Sequence, residues 1–255
     1  MLRTTIVVLA ALVVGAGAAA AEPTRITVRV ISKDAKFIGS SMGGALITIR
    51  DVETGRILAE GVTAGSTGDT AKIIREPRQR GVPISTKDSA KFDAEIDLDR
   101  PRQIEVSAIA PAAQRQSANR VSATQWLIPG KHVTGGDGWV LEMPGMMVDV
   151  LNPPAHMGFL GVPQTMALKA NVTMMCGCPL EPEGLWDSSK FEIKAIVSRD
   201  GALVGEVAMD YAGELSQFGA SLAIDKPGLY QITVYAYDPA SGNSGLDQTT
   251  FSVLE

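Results

Sequence analysis

The only two cysteines of the chain, Cys176 and Cys178, lie one residue apart and directly follow two methionines. Thiolate and thioether sulfur are soft donors that favour Cu(I) over harder cations. Seven of the nine methionines beyond the initiator fall between residues 143 and 175, and a histidine lies in the same window. This pattern predicts a soft-metal site for copper, Cu(I), with the ligands Cys176, Cys178, Met174, Met175 and His156.

A disulfide is a second interpretation of the same two residues. Paired thiols usually oxidise in an oxidising compartment, and Cys176 and Cys178 have no other cysteine as a partner. Their Cα atoms would lie about 6.6 Å apart on an extended strand, at the long end of disulfide geometry, so the bond requires a bulge at Gly177. Such a bond would be strained and reducible, which makes a thiol-disulfide redox component an alternative function. A third interpretation is two inert buried thiols in a structural or adhesion module.

The cysteines end a stretch whose alternation is typical of a half-buried strand. Every second residue from Met166 to Cys178 is apolar, whereas positions between them include Lys169 and Asn171. Because successive side chains of a strand point to opposite faces, the apolar set predicts a core-facing strand. The last three members of that set carry sulfur, and we expect them in line where the core meets the next loop.

The same alternation recurs along nearly the whole chain beyond residue 22 and predicts an all-β fold. It marks ten strands, at residues 25–32, 45–51, 91–98, 102–110, 166–174, 190–198, 202–210, 216–224, 229–238 and 248–254. The segments 129–147 and 151–163 are rich in glycine and proline, which is typical of a domain boundary. We therefore expect two consecutive β-sandwich domains, at residues 22–144 and 145–255.

The end of the chain resembles a known class of domain. Its sequence KPGLYQITVYAYDPASGNSGLDQTTFSV, at residues 226–253, is similar to the last two strands of bacterial immunoglobulin-like domains, in which a Pro-Gly turn precedes a Tyr-x-Ile-Thr-Val strand. The resemblance implies an immunoglobulin-like sandwich for the second domain. It also implies that Tyr230 is the corner tyrosine of that fold, with its hydroxyl bonded to nearby backbone.

A second resemblance lies in the first half. The sequence GGALITIRDVETGRILAEGVT, at residues 43–63, is similar to transthyretin-like or carboxypeptidase-regulatory-like domains, in which a strand, an Asp-x-x-Thr-Gly hairpin turn and a second strand follow one another. It implies a transthyretin-like sandwich for residues 22–144. Sandwiches of both kinds host adhesion, carbohydrate binding, redox and spacing roles, so neither resemblance implies an activity.

Residues 1–21 predict a signal peptide. Arg3 precedes an unbroken run of small and apolar residues, and four alanines end that run before Glu22. We expect cleavage near Ala21, export to the periplasm, and no membrane span in the mature chain. The expected partner is then another periplasmic or membrane-bound exported protein.

Charge and motif content argue against several activities. The formal net charge is −5 and the basic residues are scattered, so we expect no nucleic-acid binding. Histidine occurs only at His132 and His156, which makes the usual general base scarce. The Gly-x-Ser-x-Gly match around Ser41 leads into a strand, whereas a nucleophile elbow leads into a helix. The oxygen-rich loops at 181–187 and 238–247 lack the spacing of a calcium loop and are expected to be solvated turns. We therefore expect a non-enzymatic binding or accessory protein.

Overall fold

Residues 21–255 are the part of the chain that the computed structural model describes, and they form sixteen β-strands. The strands are β1 (Glu22–Ser32), β2 (Leu46–Asp51), β3 (Ile57–Val62), β4 (Phe92–Leu98), β5 (Arg102–Ala110), β6 (Asn119–Leu127), β7 (Trp139–Met143), β8 (Met146–Asn152), β9 (Met157–Leu160), β10 (Gln164–Met174), β11 (Glu192–Arg199), β12 (Ala202–Ala208), β13 (Asp210–Tyr211), β14 (Gln217–Ile224), β15 (Gly228–Asp238) and β16 (Asn243–Leu254). The signal peptide predicted for residues 1–21 lies outside the described residues, of which Ala21 is the first.

Strands β1 to β7 form the first sandwich. One sheet has the order β4-β1-β7, with β7 parallel to β1, and the other has the order β3-β2-β5-β6 and is antiparallel. Ile26, Val28 and Val30 alternate along β1 and are each at most 1% exposed. They pack with Ile49 and Val106 of the other sheet in one apolar core. Burial of these alternating side chains is the main force that holds the two sheets together.

Strands β8 to β16 form the second sandwich, which is immunoglobulin-like. Its sheets have the orders β13-β14-β10-β8 and β12-β11-β15-β16-β9. The hydroxyl of Tyr230 donates to the carbonyl of Lys226 at 2.7 Å, which confirms the predicted corner tyrosine. The ring of Tyr230 also stacks on Phe251 with centroids 5.2 Å apart, so one residue secures both the corner and the core.

The hairpin between β2 and β3 depends on Asp51. Its carboxylate accepts a hydrogen bond from the Thr54 amide at 3.0 Å, and its carbonyl accepts one from the Gly55 amide at 2.9 Å. The Asp-x-x-Thr-Gly motif therefore forms the predicted hairpin. Burial alone would raise the pKa of Asp51, but the Thr54 bond and the nearby Arg102 charge outweigh burial and lower it below its ordinary value.

All ten strands predicted from alternation are present. Six further strands are also present: the hairpin partner β3, and five strands that were not predicted, namely β6, β7, β8, β9 and β13. Strands β7, β8 and β9 lie in the glycine- and proline-rich segments that we expected to be a boundary region. They were missed because each is short and flanked by turn residues. Strand β6 was missed because seven of its nine residues are exposed, so it has no alternation of buried and exposed positions. Strand β13 has only two residues.

The passage from one sandwich to the other takes place around Gly145. Strand β7 ends at Met143 and β8 begins at Met146, so only Pro144 and Gly145 lie between them. Within residues 21–255, every strand pair lies wholly on one side of Gly145. The two sandwiches are therefore separate in hydrogen bonding between strands, and what joins them is the packing and side-chain bonding at their junction.

Candidate functional site

Strand β10 brings the sulfur-rich segment to the junction between the sandwiches. Its alternate residues from Met166 to Met174 are at most 5% exposed, as the alternation predicts. Strand β8 pairs with it antiparallel, which sets Met146 opposite Met174 and Met147 opposite Thr173. The start of β8 and the end of β10 thus place four methionines within one small region, namely Met146, Met147, Met174 and Met175.

Consecutive methionines of this region pack in opposite cores. Met146 and Met174 belong to the core of the second sandwich, whereas Met147 and Met175 belong to the core of the first. Both cores therefore pack against this short two-strand stretch, one on each of its faces. Because methionine is unbranched and fills irregular gaps well, the residue type suits a surface that must pack on both sides. Of the seven methionines between 143 and 175, only Met157 is exposed, by 44%.

The chain reverses direction at the cysteines. The Met174 amide donates to the carbonyl of Cys178 at 3.0 Å, and the Gly177 amide donates to the carbonyl of Met174 at 2.8 Å. Gly177 has a φ of 76°, in the left-handed region that glycine adopts readily. Thr173 then bridges to Pro179, so the segment is a tight turn. A regular strand through residue 178 is not formed, whereas the predicted irregularity at Gly177 is present.

The reversal brings the two cysteines together. Their Cα atoms lie 5.4 Å apart, and their Sγ atoms are paired as a disulfide. Residues 21–255 contain no free cysteine. Cys176 is 1% exposed and Cys178 is 5% exposed, and both pack in the second core with Leu180 and Trp186. The geometry therefore agrees with the disulfide interpretation and buries the bond.

Met42 of the first sandwich covers this turn. Its Sδ atom lies so close that a Cβ on Gly177 would be 2.7 Å from it. Any side chain at Gly177 would therefore collide with Met42 in addition to being strained by the positive φ. Met42 was not among the predicted site residues, because it is far from the cysteines in sequence and no local pattern connects the two segments.

Of the five predicted ligands, the structure brings three into one core, namely Met174, Cys176 and Cys178. Met175 packs in the other core. His156 is exposed and lies elsewhere, because its amide donates to the carbonyl of Thr250 on β16 at 2.9 Å.

The distance of His156 from the sulfur atoms follows from β16. Gly245 of that strand contacts the backbone of Met146, which is opposite Met174. Thr250, which holds His156, is five residues further along the same strand, or about 16 Å away. His156 therefore lies too far from the cysteines to bind the same metal ion in this arrangement.

Asn243 joins the two sandwiches at the boundary. Its side-chain oxygen accepts from the Gly145 amide at 2.5 Å and its side-chain nitrogen donates to the Gly145 carbonyl at 2.9 Å. Asn119 of the first sandwich donates to the carbonyl of Pro144 at 2.9 Å. Asn243 is only 2% exposed, so these bonds satisfy polar groups that water cannot reach. The sequence placed Asn243 in an oxygen-rich loop and did not indicate this role.

Further polar contacts cross the junction beside Asn243. The hydroxyl of Ser117 both accepts from the amide of Val148 at 3.0 Å and donates to its carbonyl. Trp186 of the second sandwich donates its indole N–H to the carbonyl of Asp34 at 3.0 Å. The Lys33 ammonium donates to the carbonyl of Ser241 at 2.9 Å. The junction therefore has bonds on several sides, which opposes hinge motion.

Two carboxylates, those of Asp149 and Asp247, lie at the same junction. Burial, and after it the charge of Asp247, raise the pKa of Asp149 above its ordinary value. Gln114 of the first sandwich donates to Asp149 at 3.4 Å and opposes that rise only in part. The ionised form of Asp149 is therefore disfavoured where the sandwiches meet.

The other sites considered from the sequence are turns. Ser41 lies in the short helical turn Ser40–Met42, which leads towards β2 and not into a helix. Asp187 accepts from the amides of Glu183 and Ser189 at 3.2 and 3.1 Å, and Asp238 accepts from the amide of Ala240 at 2.9 Å. Within residues 21–255, no three His, Cys, Asp or Glu side chains are grouped so that they could hold a metal ion.

No protein-family model matches this chain, and no curated protein matches its sequence. The solved structures that it resembles include fibronectin(III)-like modules of Clostridium thermocellum CbhA, at 10% identity over 91% of this chain and 94% of that chain, with a TM-score of 0.30. Activated alpha-2-macroglobulin of Escherichia coli is 13% identical over 94% of this chain and 22% of its own length, with a TM-score of 0.24.

An engineered protein is 15% identical over 50% of this chain and 24% of that chain, with a TM-score of 0.32. Likenesses as distant as these three do not bear on activity. In the described part of the chain, no helix has the length and apolar character needed to cross a bilayer.

Proposed function

We propose that this chain is a non-enzymatic, exported accessory protein of the periplasm, in which two β-sandwich domains act as one rigid module that binds another exported protein. The observation that carries the proposal is the junction: Ser117 of the first sandwich, 7% exposed, bonds to both backbone groups of Val148 in the second, and Asn243 holds the connecting residue Gly145. A rigid arrangement of two domains fixes the spacing of surfaces on both of them. The signal peptide predicted at residues 1–21 supports the exported part of this proposal.

In this proposal the Cys176–Cys178 disulfide is a structural cross-link at the end of β10, beside the two-strand stretch against which both cores pack. Exchange with another thiol requires that an attacking thiolate reach a disulfide sulfur. At 1% and 5% exposure, these two residues offer little access. Burial therefore favours a structural bond over the redox component that we considered as an alternative.

Chemical cross-linking in intact producing cells tests the module. We expect discrete adducts with another exported protein, and the same adducts from a Cys176→Ala, Cys178→Ala variant. An Asn243→Ala variant, in which the junction is loosened, is expected to give weaker adducts. Adducts that disappear when only the cysteines are replaced would contradict a purely structural role for the pair, and a chain that gives no adduct with another protein would contradict the binding module.

Cu(I) binding by the reduced protein is a second candidate, supported by the position of Met174. Its thioether side chain is fully buried in the same core as both cysteines. Reduction of the disulfide by an added reductant would give two thiols, which lose their protons when the metal binds. Two thiolates and a thioether are a donor set that suits Cu(I). Coordination by Cys176, Cys178 and Met174, which share one core, needs neither His156 nor Met175.

Anaerobic titration of the reduced protein with Cu(I) under a competing chelator tests this second candidate. We expect one equivalent to bind and a Met174→Leu variant to bind more weakly. Binding no tighter than that of a Cys176→Ser, Cys178→Ser variant would remove the copper candidate while leaving the rigid module untouched.

A further inference from the structure

Strand β6 (Asn119–Leu127) has one unpaired edge. It is hydrogen-bonded to β5 on one side and is the last strand of its sheet. Within residues 21–255, the backbone groups on its other side take no backbone partner. A row of free N–H and C=O groups is a template on which another strand can pair.

The other seven edge strands of the described residues are short, charged or irregular, which are the usual protections of a sheet edge. Strands β7, β9 and β13 have at most five residues. Strands β3, β8 and β12 each take part in a ladder with a register shift. Strand β4 carries Asp93, Glu95 and Asp97.

Strand β6 has none of these protections. It is nine residues long, its ladder with β5 has no register shift, and Arg120 is its only charged residue. Seven of its nine residues are exposed, and Trp126 is 66% exposed. A large exposed indole on an unprotected edge is typical of an interaction surface.

The sequence of β6 is complementary to itself when two copies run antiparallel. A two-fold axis through Ala123 pairs all nine residues, which no other symmetric register does. The pairs are Asn119 with Leu127, Arg120 with Trp126, Val121 with Gln125, Ser122 with Thr124, and Ala123 with Ala123.

The chemistry of these pairs is favourable on the outer face of the strand. Arg120 and Trp126 lie on the outer face, since they are opposite Ile109 and Gln103 of β5. The guanidinium of each copy would meet the indole ring of the other copy, so the dimer would have two such contacts. Ser122 and Thr124 would meet as a hydroxyl pair. No two like charges are opposed in this register.

We propose that two copies of this chain associate by antiparallel pairing of β6 with β6, with a two-fold axis at Ala123 and an Arg120–Trp126 pair at each end. The two four-stranded sheets become one eight-stranded sheet across the axis. The inference is independent of the proposed function. Since an interface built on one strand pair is at the small end of the range, we expect a reversible dimer with a dissociation constant of roughly 1 to 100 μM.

Sedimentation velocity of the full chain over a concentration series tests the association. We expect a monomer–dimer equilibrium for the wild type and at least tenfold weaker association for Ala123→Lys, because two lysines would lie directly opposite each other on the axis. The matched control is Ala223→Lys, which adds the same charge to an exposed alanine of β14. A wild type that stays monomeric up to about 500 μM, or equal weakening by both substitutions, would overturn the proposal.

Cross-linking tests the register. Directly opposite residues of an antiparallel pair have Cα atoms about 4.5 to 5.5 Å apart, which suits a disulfide. Ala123→Cys is therefore expected to give a covalent dimer under mild oxidation. Ser122→Cys, whose copies are offset by two residues, and Ala223→Cys are expected to give none. Equal cross-linking by Ser122→Cys and Ala123→Cys would overturn the proposed register, and a wild-type dimer without cross-linking at residue 123 would place the interface elsewhere.

Discussion

Replacing Cys176 and Cys178 by alanine is expected to lower the free energy of unfolding by about 3 kcal/mol while the fold is retained. The bond closes a loop of three residues, Cys176, Gly177 and Cys178, since its sequence separation is 2. Loop-closure entropy for that length is worth about 1.6 kcal/mol at 25 °C. Alanine also removes two buried sulfur atoms, each worth roughly the 0.8 kcal/mol of a buried methylene.

Urea unfolding with and without reductant separates these two contributions. The wild type in reductant should lose only the cross-link contribution, about 1.6 kcal/mol, because its sulfur atoms still fill the core. The alanine variant should lose both contributions and should not respond to reductant. Alanine is the suitable replacement, since a serine hydroxyl would be buried at positions that are 1% and 5% exposed.

One result would refute this reasoning about the disulfide. If the wild type unfolds at the same or a higher urea concentration in reductant, the bond does not stabilise the folded chain. The cysteine pair would then not be a structural cross-link, and the copper and redox alternatives would be the ones to pursue.

Three other substitutions test the junction and the corner. Asn243→Ala should cost about 2 to 3 kcal/mol in urea unfolding, because it leaves both buried backbone groups of Gly145 unpaired. Tyr230→Phe should cost about 1 kcal/mol, since it removes only the bond to Lys226 and keeps the stacked ring; a loss above that of Asn243→Ala would contradict this ordering. Asp149 has a raised pKa in the folded chain, so the stability it contributes is present below its unfolded pKa and is lost as pH rises through the folded pKa. Asp149→Asn should therefore raise the urea midpoint at pH 7 and leave it nearly unchanged at about pH 3, and an equal effect at both would contradict the assignment.

Alternation was sufficient to predict the strands that have one buried face. β10 and β15 are examples, because each sets every second side chain into a core. It could not find β6, whose side chains are exposed on both faces. The exposure of its side chains, which removes the alternation from β6, is also what makes β6 the proposed interface.

The sulfur site was predictable only in its local part. The irregularity at Gly177 follows from glycine between two cysteines, and the structure confirms a reversal there. The position of Met42 could not be predicted, because it depends on how the two sandwiches pack. His156 was included in the predicted ligand set for its sequence position, whereas its amide bonds to Thr250, about 16 Å along β16 from Gly245 beside Met146.

The rotational correlation times of the two sandwiches, measured by ¹⁵N relaxation, test the central claim of a rigid module most directly. The Ala123→Lys variant is suitable, because it keeps the chain monomeric under the proposal for β6. We predict one correlation time for amides of both sandwiches, that of a single body of their combined size. Two distinct and shorter times would show that the sandwiches tumble separately and would contradict the module.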